Sequence, residues 1–215
     1  MPETGMTSDG WVTVLNDCFS SDMELIRLKA ARDAKQCRSR KVARVLKHQL
    51  EIETSAKVRA ALIESLAVVG GDGFYSTLAA SLEDKDANVR SMAIMALAML
   101  TIEDETIPHF ILHLQDSAAA VRTKALESLA TVNSTAVGAA VERMLRSRLS
   151  EYRSSALHLM ELAENTRTIQ LIQPLLDDKD EQLRLRAKKL LLQMAEGGDQ
   201  SAVELCKTRG MGNGG

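Results

Sequence analysis

The chain is expected to fold as an all-α protein, an α-solenoid of about six helix-turn-helix repeats. Three observations predict this. One arginine-centred phrase returns six times at a spacing of 31 or 32 residues. A second amphipathic segment precedes each copy. Aromatic residues make up only 3% of the chain while Ala, Leu, Met, Glu and Arg abound, a balance that suits helices and starves a β-sandwich.

The copies are IRLKAARDA, VRAALIESLA, VRSMAIMALA, VRTKALESLA, YRSSALHLME and LRLRAKKLLL, centred on Arg27, Arg59, Arg90, Arg122, Arg153 and Arg184. One residue before the Arg stand Ile26, Val58, Val89, Val121, Tyr152 and Leu183. Three after it stand Ala30, Leu62, Ala93, Ala125, Ala156 and Ala187, and seven after it Ala34, Leu66, Leu97, Leu129, Met160 and Leu191. Offsets −1, +3 and +7 share one helical face, and the recurrent Ala admits a close neighbour. Six residues before the Arg come Ser21, Glu53, Asp84, Asp116, Ser147 and Asp178, polar residues suited to cap the entering turn or to pair with an Arg.

The preceding segments are clearest at residues 74–82, 106–114, 136–145 and 168–176. A helix pair of about 31 residues cannot bury its apolar face alone, but stacked copies share a core. The expected boundaries are a flexible 1–10, repeats at 11–37, 38–70, 71–102, 103–133, 134–165 and 166–196, a capping helix at 199–208, and a disordered Gly-rich tail at 209–215.

The segments DKDANVRSMAIMALAML and DDKDEQLRLRAKKLLLQMA resemble the Asp…Val-Arg…Ala…Leu form of HEAT-like repeats, as found in phycobilin lyases and many bacterial scaffold proteins. The likeness runs over about residues 11–208. It implies that the second helix of each pair lines a concave face. At offset +5 those helices carry Arg32, Glu64, Met95, Glu127, His158 and Lys189, and at offset +1 the middle ones carry the small residues Ala60, Ser91, Thr123 and Ser154. Met95 and Ala98 form an apolar spot flanked along the column by Glu64 and Glu127. Arg32, Glu64, Ser91, Met95, Ala98, Glu127, His158 and Lys189 are therefore the candidate partner-binding residues, for a protein or peptide in the groove.

Net charge is −2, which does not suggest a general nucleic-acid binder. Residues 27–47, however, hold nine basic side chains against the single acid Asp33. Within this stretch Lys35, Arg38, Arg40, Lys41, Arg44 and Lys47 form a candidate patch for an acidic partner or an anionic surface. Without interleaved aromatics the plainer reading is a solvated face.

No chemistry stands out. His109 and His113 have metal-pair spacing but no evident third ligand, and the apolar pattern of their helix puts both on its outward face. Cys37 lies among cations with no base nearby in sequence. Cys18, Cys37 and Cys206 cannot all pair with one another, which suits a reduced cytoplasm. The N-terminus, with no basic start and no apolar core, is not expected to act as a signal peptide, and the apolar run from Ser91 to Ile102 is shorter than the roughly 20 residues a membrane span needs. No cofactor or metal is expected. HEAT-type iron hydroxylases carry His-Glu dipeptides, and here no His precedes a Glu.

The expected function is a non-enzymatic interaction scaffold. The resemblance leaves two alternatives, a tetrapyrrole lyase or chaperone-like factor and a nucleic-acid binder like the HEAT-like DNA glycosylases. The latter use basic concave surfaces with aromatics, whereas here the column is mixed in charge and the only Trp is Trp11.

Overall fold

A computed structural model of the chain describes residues 6–100, 103–131, 135–163 and 168–211. These form helices and turns, with no strand among them. The fold is all-α and of the α-solenoid class, organised as two compact units, Met1–Ser128 and Leu129–Gly215. The first unit holds α1 (Ser8–Phe19), α2 (Glu24–Asp33), α3 (Arg40–Ile52), α4 (Ala56–Gly70), α5 (Tyr75–Ala80), α6 (Ala87–Ala98), α7 (Glu103–His113) and most of α8 (Ala119–Ala130). The second holds α9 (Thr135–Leu145), α10 (Ser150–Leu162), α11 (Ile169–Ile172), α12 (Glu181–Glu196) and α13 (Gln200–Thr208).

Helix starts are capped by short polar side chains, though not by the column six residues before the Arg. Ser39 caps α3, Asp86 caps α6 through the Asn88 and Val89 amides, and Asp180 caps α12 through those of Gln182 and Leu183. Stops use glycine: Gly71, at φ +57°, lies just past the end of α4. Gly198, at φ +93°, lets the Asp199 and Gly198 amides return to the Met194 and Ala195 carbonyls. In the first unit the core is built from Leu15, Leu46, Leu62, Ile63, Leu66, Ile94 and Leu97; in the second, from Val141, Leu157, Met160, Ile172 and Leu191. Ala93, Ala125, Ala156 and Ala187, all from the +3 column, are fully buried.

Each of the six arginines has the same post. Its Nη1 donates back to the carbonyl six residues earlier, on Ser21, Glu53, Asp84, Asp116, Ser147 and Asp178 respectively, at 2.7–3.3 Å. Four of them also reach forward to the same column one repeat on. Nε and Nη2 of Arg27, Arg59, Arg90 and Arg153 grip both carboxylate oxygens of Glu53, Asp84, Asp116 and Asp178 at 2.7–2.9 Å. The column residue also forms a local turn. Glu53, Asp84, Asp116 and Asp178 accept from the amide two residues on, and the hydroxyls of Ser21 and Ser147 do the same.

Several boundaries differ from the sequence reading. Helix α1 begins at Ser8, inside the stretch expected to be flexible, because Thr7 caps it by accepting from the Gly10 amide. Residues 209–211 are ordered, not part of a loose tail. Gly210, at φ +63°, turns the chain so that its amide and that of Met211 reach the Lys207 and Cys206 carbonyls, and Arg209 grips Asp177 through both Nη atoms. The rest of both expected segments, 1–5 and 212–215, lies outside the described residues. The segments expected as single helices at 74–82 and 168–176 pass from α-helix into a tighter 3₁₀ turn, at Ser81–Glu83 and Gln173–Asp177. In the second, Pro174 removes an amide from the helical ladder.

The buried forks make stability depend on acid. The Glu53 side chain is 1% exposed. Burial alone would raise its pKa; the Arg27 guanidinium, the Ser55 amide and the Gln49 amide outweigh that and hold it at about 2. Asp84 and Asp116 are also lowered, burial again being outweighed by Arg59 and Arg90, while for Asp178 the bond from Arg153 is the largest influence. A carboxylate depressed in the folded state contributes fully above its unfolded pKa and loses that contribution as pH falls through the folded value. Urea midpoints should therefore be flat above about pH 5 and drop steadily toward pH 2. Glu53→Gln should make that acid limb shallower and, at neutral pH, cost about 1–3 kcal/mol by leaving half-buried Arg27 without its counter-charge.

Candidate functional site

The second helices of the pairs present a face whose residues are free to differ because the core does not need them. In the first unit, α2, α4 and α6 border an open hollow of about 530 Å³. Ala56 and Ala60 line it, Ser55 and Asp86 sit at the N-terminal caps of α4 and α6, and Glu24, Arg32, Lys57 and Asn88 complete the lining. Glu24, Arg32, Lys57 and Asn88 are exposed. Both signs of charge thus surround small side chains. Of the sequence candidates, Arg32 is in this lining.

The others in the first unit stand as follows. Glu64 is half-buried and ion-paired with Lys35. Glu127 is exposed and bonded to Lys124 at 2.7 Å. Met95 and Ala98 are exposed on α6, and Met99, which the sequence reading passed over, is 59% exposed beside them. Met95 and Met99 are four residues apart, so they share a helical face. Ser91 was expected to point away from the core. Instead it is half-buried, and its Oγ is enclosed with no hydrogen-bond partner, so its hydroxyl is not on offer to a ligand.

In the second unit, His158 Nδ1 lies 3.2 Å from Glu161 Oε2. Arg186 donates from Nε and Nη2 to both oxygens of Glu161 and from Nη1 to Ser154 Oγ. The Glu161 carboxyl is held below its ordinary range: burial pushes it up, but the Arg186 bond and charge prevail. Lys189 is exposed on α12.

Half of the basic patch is already spoken for. Lys35 pairs with Glu64, Lys41 with Asp9 at 2.7 Å, and Lys47 with Glu51 at 3.9 Å, whereas Arg38, Arg40 and Arg44 are exposed cations. Pairing explains why nine basic residues in sequence do not become a nine-charge surface.

His113 corrects the sequence reading most clearly. It is 6% exposed, not on the outward face. Its Nδ1 lies 2.8 Å from the His109 carbonyl and its Nε2 3.2 Å from the Leu82 carbonyl, so the ring ties α7 to the turn before α6. A neutral imidazole can donate only one of these two bonds. His109 is half-buried, its ring centroid 6.3 Å from that of Tyr75. No group of three or more metal-ligating side chains occurs among the described residues. None of their helices is long and apolar enough to cross a membrane.

Stacked helix pairs bound by a repeating arginine fork define a helical-repeat protein. Residues 75–161 match the family model for HEAT repeats. Solved structures share the fold. YibA of Escherichia coli is 20% identical, with a TM-score of 0.60 over 93% of this chain and 82% of its own. Cex1p is 18% identical, with a TM-score of 0.63 over 90% of this chain but only 44% of its own. The complex of CpcE and CpcF of phycocyanin lyase from Nostoc is 20% identical, with a TM-score of 0.51 over 89% of this chain and 79% of that one. These are likenesses of fold. No curated protein matches the chain.

The buried histidine gives a direct test. His113→Leu should cost about 1–3 kcal/mol in urea unfolding by leaving a carbonyl without the ring's donor. The same change at exposed His48 should stay within about 0.5 kcal/mol.

Proposed function

We propose that this chain is a non-enzymatic interaction scaffold of the cytoplasm, and that the face formed by α2, α4 and α6 binds a segment of another protein. The observation that carries this reading is the hollow bordered by three consecutive second helices. Small residues there let a backbone approach closely, and a rim of both charge signs offers partners for a mixed-charge peptide. Repeat stacks provide such extended surfaces, and HEAT repeats support a role in protein interaction. Three unpaired cysteines suit a reducing compartment.

The likeness to phycocyanin lyase is one of fold at 20% identity and brings no activity with it. The pairing of Lys35, Lys41 and Lys47 with acids leaves little support for nucleic acid as the partner.

The test compares the immobilised wild-type chain with Ala60→Arg, which fills the hollow, and with Lys189→Glu as a control outside it. A protein retained at high salt by the wild type and the control, but lost with Ala60→Arg, is the expected result. Circular dichroism should be the same for all three. Retention unchanged by Ala60→Arg would overturn the assignment.

A further inference from the structure

Four ionic side chains border the α2–α4–α6 hollow: Glu24, Arg32, Lys57 and Asp86. Both signs face one space, yet none of the four forms an ion pair among the described residues. Other surface lysines of the first unit do find acids: Lys29 pairs with Asp33, Lys35 with Glu64, Lys41 with Asp9 and Lys124 with Glu127. The Asp86 carboxylate accepts only from the Asn88 and Val89 amides. The side-chain amide of Asn88, in the same lining, bonds to nothing among the described residues. The hollow is thus ringed by charge and hydrogen-bonding capacity that the fold leaves unused.

The charges also have an order. Glu24 is in the first turn of α2, Lys57 in the first turn of α4, and Asp86 at the N-cap of α6. Acid, base and acid succeed one another across three helices, of which α2 packs on α4 and α4 on α6. Arg32, in the last turn of α2, stands off this line. Packed helix axes lie about 8–10 Å apart. A polyproline II chain turns the same side to a surface every third residue, after a rise of about 9 Å. A β-strand returns to one face after about 7 Å and an α-helix after about 5 Å, so both fall out of step with the helices. Ala56 and Ala60, beside Lys57 in the lining, leave room for a backbone. Polyproline II has no internal hydrogen bonds, so its amides and carbonyls are open to the unpartnered Asn88 side chain.

We infer that the hollow selects an extended, polyproline II segment carrying a basic, an acidic and a basic side chain at three-residue intervals, set against Glu24, Lys57 and Asp86 in turn. This rests on the hollow being the partner site and adds the register of charge by which that partner is chosen.

Fluorescence anisotropy of labelled peptides with blocked ends, titrated with the full chain at low ionic strength, tests it. Lys-Pro-Pro-Glu-Pro-Pro-Lys should bind. The sign-reversed Glu-Pro-Pro-Lys-Pro-Pro-Glu and the shifted Lys-Glu-Pro-Pro-Pro-Pro-Lys should each bind at least tenfold more weakly. Asp86→Asn keeps a capping oxygen on α6 and should weaken the first peptide several-fold with circular dichroism unchanged. Lys57→Glu should reverse the preference at the central position, so that Lys-Pro-Pro-Lys-Pro-Pro-Lys binds better than the first peptide. No binding of the first peptide by the wild type, equal binding of the shifted one, or a central preference indifferent to Lys57→Glu would overturn the register. Such a failure leaves the hollow standing as the partner site if Ala60→Arg still abolishes retention of the cellular partner. It takes the underlying reading with it if Ala60→Arg changes nothing there.

Discussion

The bidentate fork of the repeated arginine is the constraint from which the architecture follows. One guanidinium satisfies two turns: Nη1 ties the turn that starts its own helix, and Nε with Nη2 hold the carboxylate that starts the next second helix. Apolar stripes of Ala and Leu could slide past one another at little cost. A planar donor set that must meet two oxygens at about 2.8 Å cannot. A buried ion pair roughly balances its desolvation against its attraction, so its net gift is register more than stability. That register is what makes a 31-residue period useful.

The same residue column separates two roles. Ser21 and Ser147 keep the turn bond to the amide two residues on, as the acids do, but they hold no carboxylate for a fork. The turn is therefore a property of any short side-chain acceptor, and the fork an addition where Asp or Glu is present. Since the core and forks use offsets −6, −1, 0, +3 and +7, offset +5 is left freer of structural duty. That release explains how Arg32, Met95 and Lys189 can share one column with such different chemistry.

Much of this was legible in the sequence because a repeat displays its constraints six times. The Arg column and the apolar columns read directly as helix chemistry, whereas the caps of α6 and α12 fall at Asp86 and Asp180, two residues beyond the Asp84 and Asp178 that the sequence offered. The partner of each Arg did not. An acid six residues before one Arg is also 25 or 26 residues after the previous one, and only the packed structure shows that the carboxylate serves the earlier Arg while the carbonyl serves the later. His113 failed for a related reason. Periodicity marks the apolar face of α7, but a polar ring can be buried at the edge of that face when two carbonyls from different elements meet it. The hollow beneath Arg32 was missed because it depends on Ala56, Ala60 and Ser55, whose signal is small size. Met99 was missed because it lies one residue past the last helical position, where helical bookkeeping stops.

The basic stretch shows how far a linear count of charge can mislead. Nine cations between residues 27 and 47 suggest a patch, yet their side chains are distributed among three environments. Arg27 is consumed by the fork to Glu53; Lys29, Lys35, Lys41 and Lys47 meet acids across or along helices; and Arg32, Arg38, Arg40 and Arg44 remain in water. Electrostatic attraction for a polyanion requires many uncompensated charges on one surface. Here the acids Asp9, Glu51 and Glu64 come from outside or beyond the stretch and close it off locally. The charge that survives is sparse, and of it only Arg32 lines the hollow.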